Sequence, residues 1–414
     1  NMNEPKLRFK ADDGSQFPDW EEKKLGDITE KVVRKGANSN ADVRMISQGN
    51  GCILQSDKYS RENAGQSLKK YTLLKRDEFA YNHGASKVKP YGVCYRLCES
   101  DEARVPYVYH TFKLIDGDSG FWNYSLNTSC MDRQLKKMVS SGARMDGLLN
   151  IGYDAYMSVN IHVPSLPEQQ KIAEFLSTID TVIAKQKETV SAWEERKKGV
   201  MQKLFSQEVR FKADDGSEFP EWEEKKLGDV ADFFNGDRSA RYPKETDFVK
   251  YGVAFLNTEN LHNTIVDISE KCKYITYEKY CELSGAKIQL LDIIYCLRGS
   301  VGLCSLNTIL EEGTVASSLM VIRAVDGIID PIYLYNSLNS DFVLGQLYQC
   351  LNGSCAGNLS AKDMAMFKIK CPCLAEQQKI AVCLSSLDEV IEKQKATLAA
   401  WEELKKGLLQ QMFV

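Results

Sequence analysis

The sequence contains none of the short motifs that mark the common classes of catalytic site. There is no G-x₄-G-K-[ST] loop, no G-x-G-x-x-G after a strand pattern, no G-x-S-x-G and no H-E-x-x-H. No two prolines are adjacent, so the Asn/Asp-Pro-Pro-aromatic loop of amino-methylating enzymes is absent as well. We therefore predict a chain that is not an enzyme and that recognises and organises other molecules.

Metal-ligand patterns and long apolar runs are missing too. The chain has 4 histidines and 13 cysteines but no C-x-x-C pair, whereas zinc sites usually need two well-spaced ligand pairs. We expect neither a metal nor a cofactor on this chain. No run of about 18 apolar residues occurs, which excludes a membrane span, and cysteines without a pattern predict a reducing cytoplasm.

What the sequence does contain is a repeated unit. The segment "RFKADDGSQFPDWEEKKLGD" at residues 8–27 recurs at 210–229 with two changes, Gln16 to Glu218 and Asp19 to Glu221. A longer segment at 166–205 recurs at 374–413 with 25 of 40 positions identical. The 414 residues therefore form two copies of one unit, each with a short repeat, a variable region and a long repeat.

The long repeat predicts a coiled coil. Apolar positions alternate at spacings of four and three residues, and about 36 residues of helix make a rod of roughly 54 Å. The predicted seam consists of Ile172, Leu176, Ile179, Ile183, Gln186, Val190 and Trp193 in the first helix, and of Ile380, Leu384, Leu387, Ile391, Gln394, Leu398 and Trp401 in the second. The two glutamines either fix the register and the partner of the helices or are simply tolerated at a hydrated position of the seam.

The connection between the two copies predicts where the first short repeat lies. The first helix ends at Phe205, and the second short repeat begins at Arg210. If a pseudo-twofold axis relates the copies, the first short repeat lies beside the end of the second helix, near Phe413. Trp20 and Trp222 then either attach the short repeats to helix ends or pack in ordinary cores.

The variable regions, 28–165 and 230–373, predict mixed α/β structure. Short runs rich in Val, Ile and Tyr are interrupted there by Gly, Asn and Asp. The two regions share little sequence, apart from an echo that aligns Asp77 and Gly84 with Asp292 and Gly299.

The two variable regions also differ in charge. The first has 19 Lys+Arg against 14 Asp+Glu, and the second has 13 against 16. The surplus in the first region, through "KVVRKGANSN", "SLKKY" and "SKVKPY", suits contacts to phosphates. Arg, Asn and Tyr in loops of the second region suit base edges. Ordinary solvated surface is the alternative explanation for both.

Several motifs recur in the same order in both copies. "WEEKKLGD" ends each short repeat, and "VPSLPEQQKIAEFLSTID" at 163–180 corresponds to "CPCLAEQQKIAVCLSSLD" at 371–388. "LLKRDEFAYNHGAS" and "LLDIIYCLRGS" look like strand–turn elements of DNA target recognition domains. Over nearly its whole length the chain resembles the specificity subunit of Type I restriction–modification enzymes. It departs from the pattern at Ala375, which stands where the first copy has Pro167.

The resemblance implies a fold and a mechanism. Two globular mixed α/β target recognition domains would be joined by two long antiparallel coiled-coil helices, and each would recognise one half of a bipartite double-stranded DNA site, the first domain the 5′ half. The helices would set the spacer and dock two methylation subunits, which bind S-adenosylmethionine for adenine N6-methylation. A translocating restriction subunit is a further partner of such complexes, which work in the cytoplasm of bacteria or archaea.

The resemblance also implies domain bounds and a DNA interface in the polar turns. The domains would be residues 1–165, a first recognition domain; 166–206, a central helix; 207–373, a second recognition domain; and 374–414, a distal helix. The candidate DNA-binding residues are Arg34, Lys35, Asn82, His83, Ser86, Lys87, Arg144, Arg238, Arg241, Tyr242, Arg298, Ser300, Asn352 and Asn358. His83 is alternatively a structural turn residue. Candidate contacts to the methylation subunits lie off the seam, at Lys171, Glu174, Lys185, Lys187, Lys379, Lys393 and Lys395, which are alternatively solvated.

Two other hypotheses remain. A coiled-coil adaptor would join protein partners through its unlike domains without recognising DNA. The recognition half of an enzyme that once carried its own methylase fits less well, because the catalytic motifs are absent.

Overall fold

The computed structural model describes residues 5–37, 39–47, 49, 51–59, 65–84, 89–139, 149–269, 271–353 and 359–413. The strands are β1 (Glu21–Lys24), β2 (Thr29–Lys31), β3 (Arg44–Ser47), β4 (Gly51–Leu54), β5 (Thr72–Lys75), β6 (Phe79–Asn82), β7 (Val93–Arg96), β8 (Glu102–Val105), β9 (His110–Leu114), β10 (Asn160–Val163), β11 (Glu223–Lys226), β12 (Ala231–Asn235), β13 (Phe248–Val249), β14 (Val253–Leu256), β15 (Lys273–Ile275), β16 (Ile293–Cys296), β17 (Cys304–Leu306), β18 (Gly313–Val315), β19 (Leu319–Ala324) and β20 (Lys368–Cys371). The α-helices are α1 (Gln55–Lys58), α2 (Ser119–Ser125), α3 (Ser129–Met138), α4 (Tyr153–Met157), α5 (Leu166–Phe205), α6 (Tyr277–Glu282), α7 (Pro331–Leu338), α8 (Asp341–Asn352), α9 (Ala361–Ala365) and α10 (Leu374–Met412).

The chain divides into two compact units with a common frame. Unit 1 comprises residues 1–187 and 396–414, and unit 2 comprises residues 188–395. Unit 1 has an antiparallel sheet in the order β2-β9-β6-β7, and unit 2 has the same arrangement in β12-β19-β16-β17. The two-stranded sheets β1-β10 and β11-β20 are equivalent as well. The variable regions therefore share part of their fold although their sequences differ.

The remaining strands are where the two units diverge. Unit 1 has two separate pairs, β3-β4 and β5-β8. Unit 2 instead has a four-stranded sheet in the order β13-β15-β14-β18, in which β14 and β18 are parallel. Each unit is thus a mixture of helices and mostly antiparallel sheet, which confirms the predicted fold class.

Strand pairing corrects the predicted alignment of the two variable regions by one residue. The first residues of β6 and β16 hold the same place in their sheets, so Glu78 corresponds to Asp292. Each carboxylate accepts a hydrogen bond from the backbone N–H three residues earlier, at 2.8 and 2.7 Å. Asp77 and Leu291, immediately before them, both have a φ of 66°. The echo therefore lies at the turn that enters these strands, and the strand pairing aligns Asp77 with Leu291.

The long repeats form the two longest helices, α5 with 40 residues and α10 with 39. At about 1.5 Å per residue each spans roughly 60 Å. Both helices begin at the equivalent leucine, Leu166 or Leu374. The change from Pro167 to Ala375 therefore leaves the helix start in place, because proline is tolerated in the first turn but is not required there.

Within each unit, α5 and α10 pack antiparallel. In unit 1 the first half of α5 shares a core with the second half of α10, which includes Ile172, Leu176, Ile179, Ile183, Leu398, Trp401, Leu408 and Met412. In unit 2 the remaining halves bring together Val200, Met201, Leu204, Ile380, Leu384 and Leu387. Asp180 pairs with Lys405 at 2.5 Å in unit 1, and the equivalent Asp388 pairs with Lys197 at 2.6 Å in unit 2. The apolar seam positions, including Val190 and Ile391, are buried or half-buried. Gln186 and Gln394 are half-buried, as is Trp193.

The short repeats are fastened to the helix starts by a buried carboxylate. Arg8 donates to both carboxylate oxygens of Glu168 at 3.0 and 2.9 Å, and the Trp20 indole N–H donates to the same side chain at 3.1 Å. In unit 2, Arg210 and Trp222 make the same contacts to Glu376 at 3.2, 2.9 and 2.9 Å. Both glutamates are 0% exposed. The repeated Arg, Trp and Glu recur together because they form one joint.

The first short repeat lies where the pseudo-twofold relation predicts. The Leu7 N–H donates to the carbonyl of Gln411, near the end of α10, at 3.0 Å. At the equivalent joint of unit 2, the Val209 N–H donates to the Lys203 carbonyl at 3.2 Å. This prediction from the length of the connection is confirmed.

Candidate nucleic-acid interface

In unit 1, the chain that leaves β2 is held against the start of β5. The Leu73 N–H donates to the Arg34 carbonyl at 2.8 Å, and the Gly36 N–H donates to the Tyr71 carbonyl at 2.7 Å. Lys35 lies between these two bonds, directly opposite Thr72, and its side chain is exposed. Because the backbone is fixed on both sides, the ammonium group of Lys35 is displayed from a rigid segment.

This segment borders a cavity of about 410 Å³, which we name cleft 1. Its lining combines basic and aromatic side chains with a few small ones: Lys31, Arg34, Lys35, Lys70, Tyr71, Tyr107, Tyr109, His110, Tyr153, Val32, Val33, Thr72 and Thr111. None of these described lining residues carries a carboxylate. Cations interleaved with aromatic rings are the side-chain chemistry that nucleic-acid surfaces use for phosphates and bases.

Arg34 and the lysines of cleft 1 are held in different ways. Arg34 forms an ion pair with the buried Glu78. The ammonium group of Lys31 lies 4.5 Å from the centre of the Tyr153 ring, and that of Lys70 lies 5.8 Å from the centre of the Tyr107 ring. Arg34 is therefore paired with a carboxylate, whereas Lys31 and Lys70 contact aromatic rings.

His110, at the start of β9, contributes a half-buried ring to cleft 1. Its Nε2 lies 2.8 Å from the carbonyl of Ile151, and burial lowers the pKa of His110 below its usual value. The ring also stacks on His83 with centroids 4.9 Å apart. The neutral ring donates from Nε2 and leaves Nδ1 as an acceptor.

His83 and Asn82, two predicted DNA contacts, are committed to the fold instead. Both ring nitrogens of the buried His83 lie 2.9 Å from backbone carbonyls, those of Leu149 and Val108. The Asn82 amide donates to the Ile46 carbonyl and accepts from the Gly84 N–H, each at 3.0 Å. Both ring nitrogens of His83 are thus occupied, so its alternative role as a structural turn residue fits its geometry, and Asn82 uses one donor and one acceptor to hold the turn. Ser86, Lys87, Arg144 and Asn358 lie outside the described residues.

Unit 2 has a cavity of about 560 Å³ at the equivalent place, which we name cleft 2. Cleft 1 follows the edge strand β2, and cleft 2 follows β12, the corresponding edge strand. Cleft 2 is lined by Phe234, Asn235, Gly236, Arg238, Ser284, Gly285, Ala286, Lys287, Gln289 and Arg323. Two basic cavities thus occupy one topological position with different side chains.

The cations of cleft 2 are more tightly bound by their own unit than those of cleft 1. Arg323 donates to the buried Asp292 at 2.8 and 2.7 Å, and these hydrogen bonds raise the pKa of Arg323. Burial lowers the pKa of Lys287, which donates to the carbonyl of Tyr280 and lies 3.6 Å from the centre of that ring. The exposed Arg238 reaches only the Ser317 carbonyl, at 3.3 Å.

The other predicted residues of unit 2 are spread around this end of the sheet. Arg298 and Ser300 are exposed in the turn after β16. At the start of this turn the Leu297 N–H donates to the Ser318 carbonyl at 2.9 Å, and the neighbouring Ser317 carbonyl accepts from Arg238. Arg241 donates to the Glu282 carbonyl at 3.3 Å, and Tyr242 packs edge-on against Phe255. Asn352 is exposed at the end of α8.

Several cleft residues escaped the sequence prediction. Lys31 and Lys70 lie in "KVVRKGANSN" and "SLKKY", segments that the charge distribution had singled out, so their basic character was a usable signal. Tyr107, Tyr153, Lys287 and Arg323 carried no such signal, because only folding brings them to the clefts.

Several residues of the predicted partner face on the helices form ion pairs within the chain. Lys171 pairs with Asp12 at 2.6 Å, and Lys379 pairs with Asp214 at 2.5 Å. Both ammonium groups therefore contact the short repeats. Lys187 and Lys395 pair with Glu402 and Glu194 across the two helices, each at 3.0 Å.

The described part of the chain also bears on metal binding and on membrane insertion. No group of three or more His, Cys, Asp or Glu side chains is arranged there to hold a metal ion. None of its helices combines the length and apolar character needed to cross a membrane.

The repeated frame, the paired helices and the two equivalent clefts define a duplicated recognition protein. Residues 220–400 match the family model for the Type I restriction modification DNA specificity domain. The Type I restriction enzyme MjaVIII specificity subunit of Methanocaldococcus jannaschii is 25% identical over 307 residues, 72% of this chain and 69% of that protein. The putative MjaX specificity subunit of the same organism is 25% identical over 61% of this chain and 57% of its own length. The chain is thus similar to Type I restriction–modification specificity subunits, and its residues 220–400 match the DNA specificity domain of that family.

Solved structures agree on the fold. The S subunit of a Type I restriction–modification system from M. genitalium has a TM-score of 0.56 at 14% identity, over 99% of both chains. A chain from a structure on assembly and conformational transition of a Type I R-M system has a TM-score of 0.53 at 15% identity, over 96% of this chain and 98% of that one.

Proposed function

We propose that this chain recognises a bipartite DNA sequence for a Type I restriction–modification complex, one half-site per unit. The observation that carries the proposal is the pair of clefts, which hold one position in two equivalent sheets but differ in lining. A constant frame with different contents is what recognition of two different half-sites requires. The protein-joining adaptor is not favoured, because it gives no reason for a basic cleft in each unit.

In this proposal the chain carries no catalytic chemistry. Two methylation subunits bound to the helices supply S-adenosylmethionine and methylate adenine at N6, and a restriction subunit joins the complex for cleavage. The length of α5 and α10 sets the spacer between the half-sites. A rod of roughly 60 Å is long enough to bridge half-sites separated by one turn of B-DNA, which is ~34 Å. The complex would act in the cytoplasm of a bacterium or an archaeon.

The test is to express the chain with its methylation subunit and to map N6-methyladenine across the host DNA. We expect one bipartite motif, in which replacing 28–165 changes only one half and replacing 230–373 changes only the other. A matched pair of variants, Lys35→Gln in cleft 1 and Arg238→Gln in cleft 2, should each weaken methylation. Methylation without a bipartite motif, or a stable complex that ignores DNA, would contradict the proposal.

A further inference from the structure

We propose that cleft 1 binds a DNA backbone phosphate through Lys31, Lys35 and Lys70, so that unit 1 carries a large part of the salt-dependent affinity. This inference rests on the proposed function. It goes beyond it by assigning three lysines of cleft 1 to the phosphate backbone, whatever the base sequence of the half-site.

The first step of the argument is how the cations of unit 1 are paired. Most of its arginines, and lysines such as Lys89 and Lys113, form ion pairs with carboxylates. Lys31, Lys35 and Lys70 form no ion pair within the described part of the chain. Three uncompensated ammonium groups at one cavity create a positive potential that suits an anion.

The second step is how two of these lysines are positioned. Tyr153 and Tyr107 lie beneath the ammonium groups of Lys31 and Lys70 at 4.5 and 5.8 Å. A cation–π contact orients an ammonium group through the ring quadrupole and adds no negative charge. The rings therefore restrict the lysines but leave the full charge for a ligand, as a phosphate site requires.

The third step is rigidity and the contrast with cleft 2. Lys35 lies between two backbone hydrogen bonds to the start of β5. The backbone beside it is closely packed, since a Cβ atom on Gly36 would lie 2.9 Å from Arg104 Cγ. In cleft 2, Asp292 pairs with Arg323. Each cleft therefore has one arginine paired with a carboxylate, but three lysines of cleft 1 are without an ion pair in the described residues, against Arg238 and the half-buried Lys287 in cleft 2.

The experiment measures DNA affinity of the complex with its methylation subunit, from low to physiological salt. The probes are a duplex carrying the methylated motif and a scrambled duplex of the same length. The variant is Lys35→Gln with Lys70→Gln. The matched control is Lys69→Gln, which removes an exposed charge next to Lys70 but outside the cleft lining.

We expect the double variant to weaken binding to both duplexes by a similar factor. The slope of log K against log salt should become shallower by about 2, because each lysine that no longer neutralises a phosphate lowers the slope by about 1. The control should change the slope much less, and the methylated motif should remain the same.

Two results would overturn the inference. An unchanged slope in the double variant shows that cleft 1 does not hold a phosphate, even if the wild-type complex prefers its motif. A weakened preference for the motif, with binding to the scrambled duplex intact, assigns the lysines to bases. Failure of the proposed function has a different signature, because the wild-type complex itself would then not distinguish the two duplexes.

Discussion

At the scale of single residues, buried polar groups keep the chain beside the clefts in shape. Asp237 follows β12 and is 2% exposed. Its carboxylate accepts from the Ser239 N–H at 2.6 Å and from the Ser284 N–H at 2.7 Å. Burial opposes the charge, but these hydrogen bonds outweigh it and hold the pKa of Asp237 well below its ordinary value. The neighbouring Arg238 is therefore displayed from an anchored turn.

Replacing Asp237 with Asn should destabilise unit 2. An amide keeps one acceptor and turns an NH₂ group towards a backbone N–H, and a buried unsatisfied polar group costs about 1–3 kcal/mol. The wild-type carboxylate stabilises the fold above its unfolded pKa of about 3.9, and this contribution is lost as pH falls below that value. Denaturant unfolding at pH 7 and at pH 3 should show a difference between the two proteins that shrinks at the lower pH. Equal stabilities at pH 7 would contradict this account.

His110 should make unit 1 sensitive to mild acid. Burial lowers the pKa of His110 in the folded state, so below its unfolded pKa of about 6.5 the unfolded chain binds more protons. Stability should therefore fall as pH drops from 7.5 towards 5.5. His110→Gln should be less stable than wild type at pH 7.5 and should lose less on acidification. Parallel pH profiles for the two proteins would show that His110 is not the cause.

At the scale of elements, the sequence predicts the frame well and the clefts poorly. The helices follow from one heptad pattern, and the place of Leu7 beside Gln411 follows from the short connection after Phe205. Both features follow either from a local sequence pattern or from the internal repeat. Cleft 1 joins residues from four separate segments, as with Lys31, Lys70, Tyr107 and Tyr153, and cleft 2 joins residues from three. No local pattern specifies such neighbours. His83 and Asn82 show the converse, since a polar turn residue can use its hydrogen bonds to hold the fold.

The joint between short repeat and helix offers an internal comparison. Glu168→Gln removes the charge that Arg8 meets but keeps an oxygen for the Trp20 indole, and Glu376→Gln does the same in unit 2. Breaking a buried ion pair on one side costs about 3–5 kcal/mol. We expect each variant to speed hydrogen exchange in its own short repeat, 8–27 or 210–229, with the other copy as the control. Loss of protection in neither copy would show that the ion pair is dispensable.

At the scale of the whole molecule, the two equivalent joints indicate that the order of the two copies along the chain can be exchanged. The hydrogen bond from Leu7 to Gln411 has its counterpart between Val209 and Lys203. The four residues at 206–209 therefore bridge one joint, and the other joint has the same geometry without a covalent link. The start of the first short repeat and the end of α10 are therefore close enough to be joined by a short linker.

A circular permutant should therefore fold and keep its specificity. In the permutant, Phe413 is linked to Arg8 through a copy of residues 206–209, and the chain opens between Phe205 and Arg210. We expect the methylation complex built on it to mark the same bipartite motif with the same spacer, because the Arg, Trp and Glu contacts of both joints are retained. The matched control opens the chain at Gln186, inside α5, where the break interrupts the helix and its buried seam. A permutant that folds but methylates a motif with a different spacer would show that covalent order, rather than the paired helices, sets the distance between half-sites.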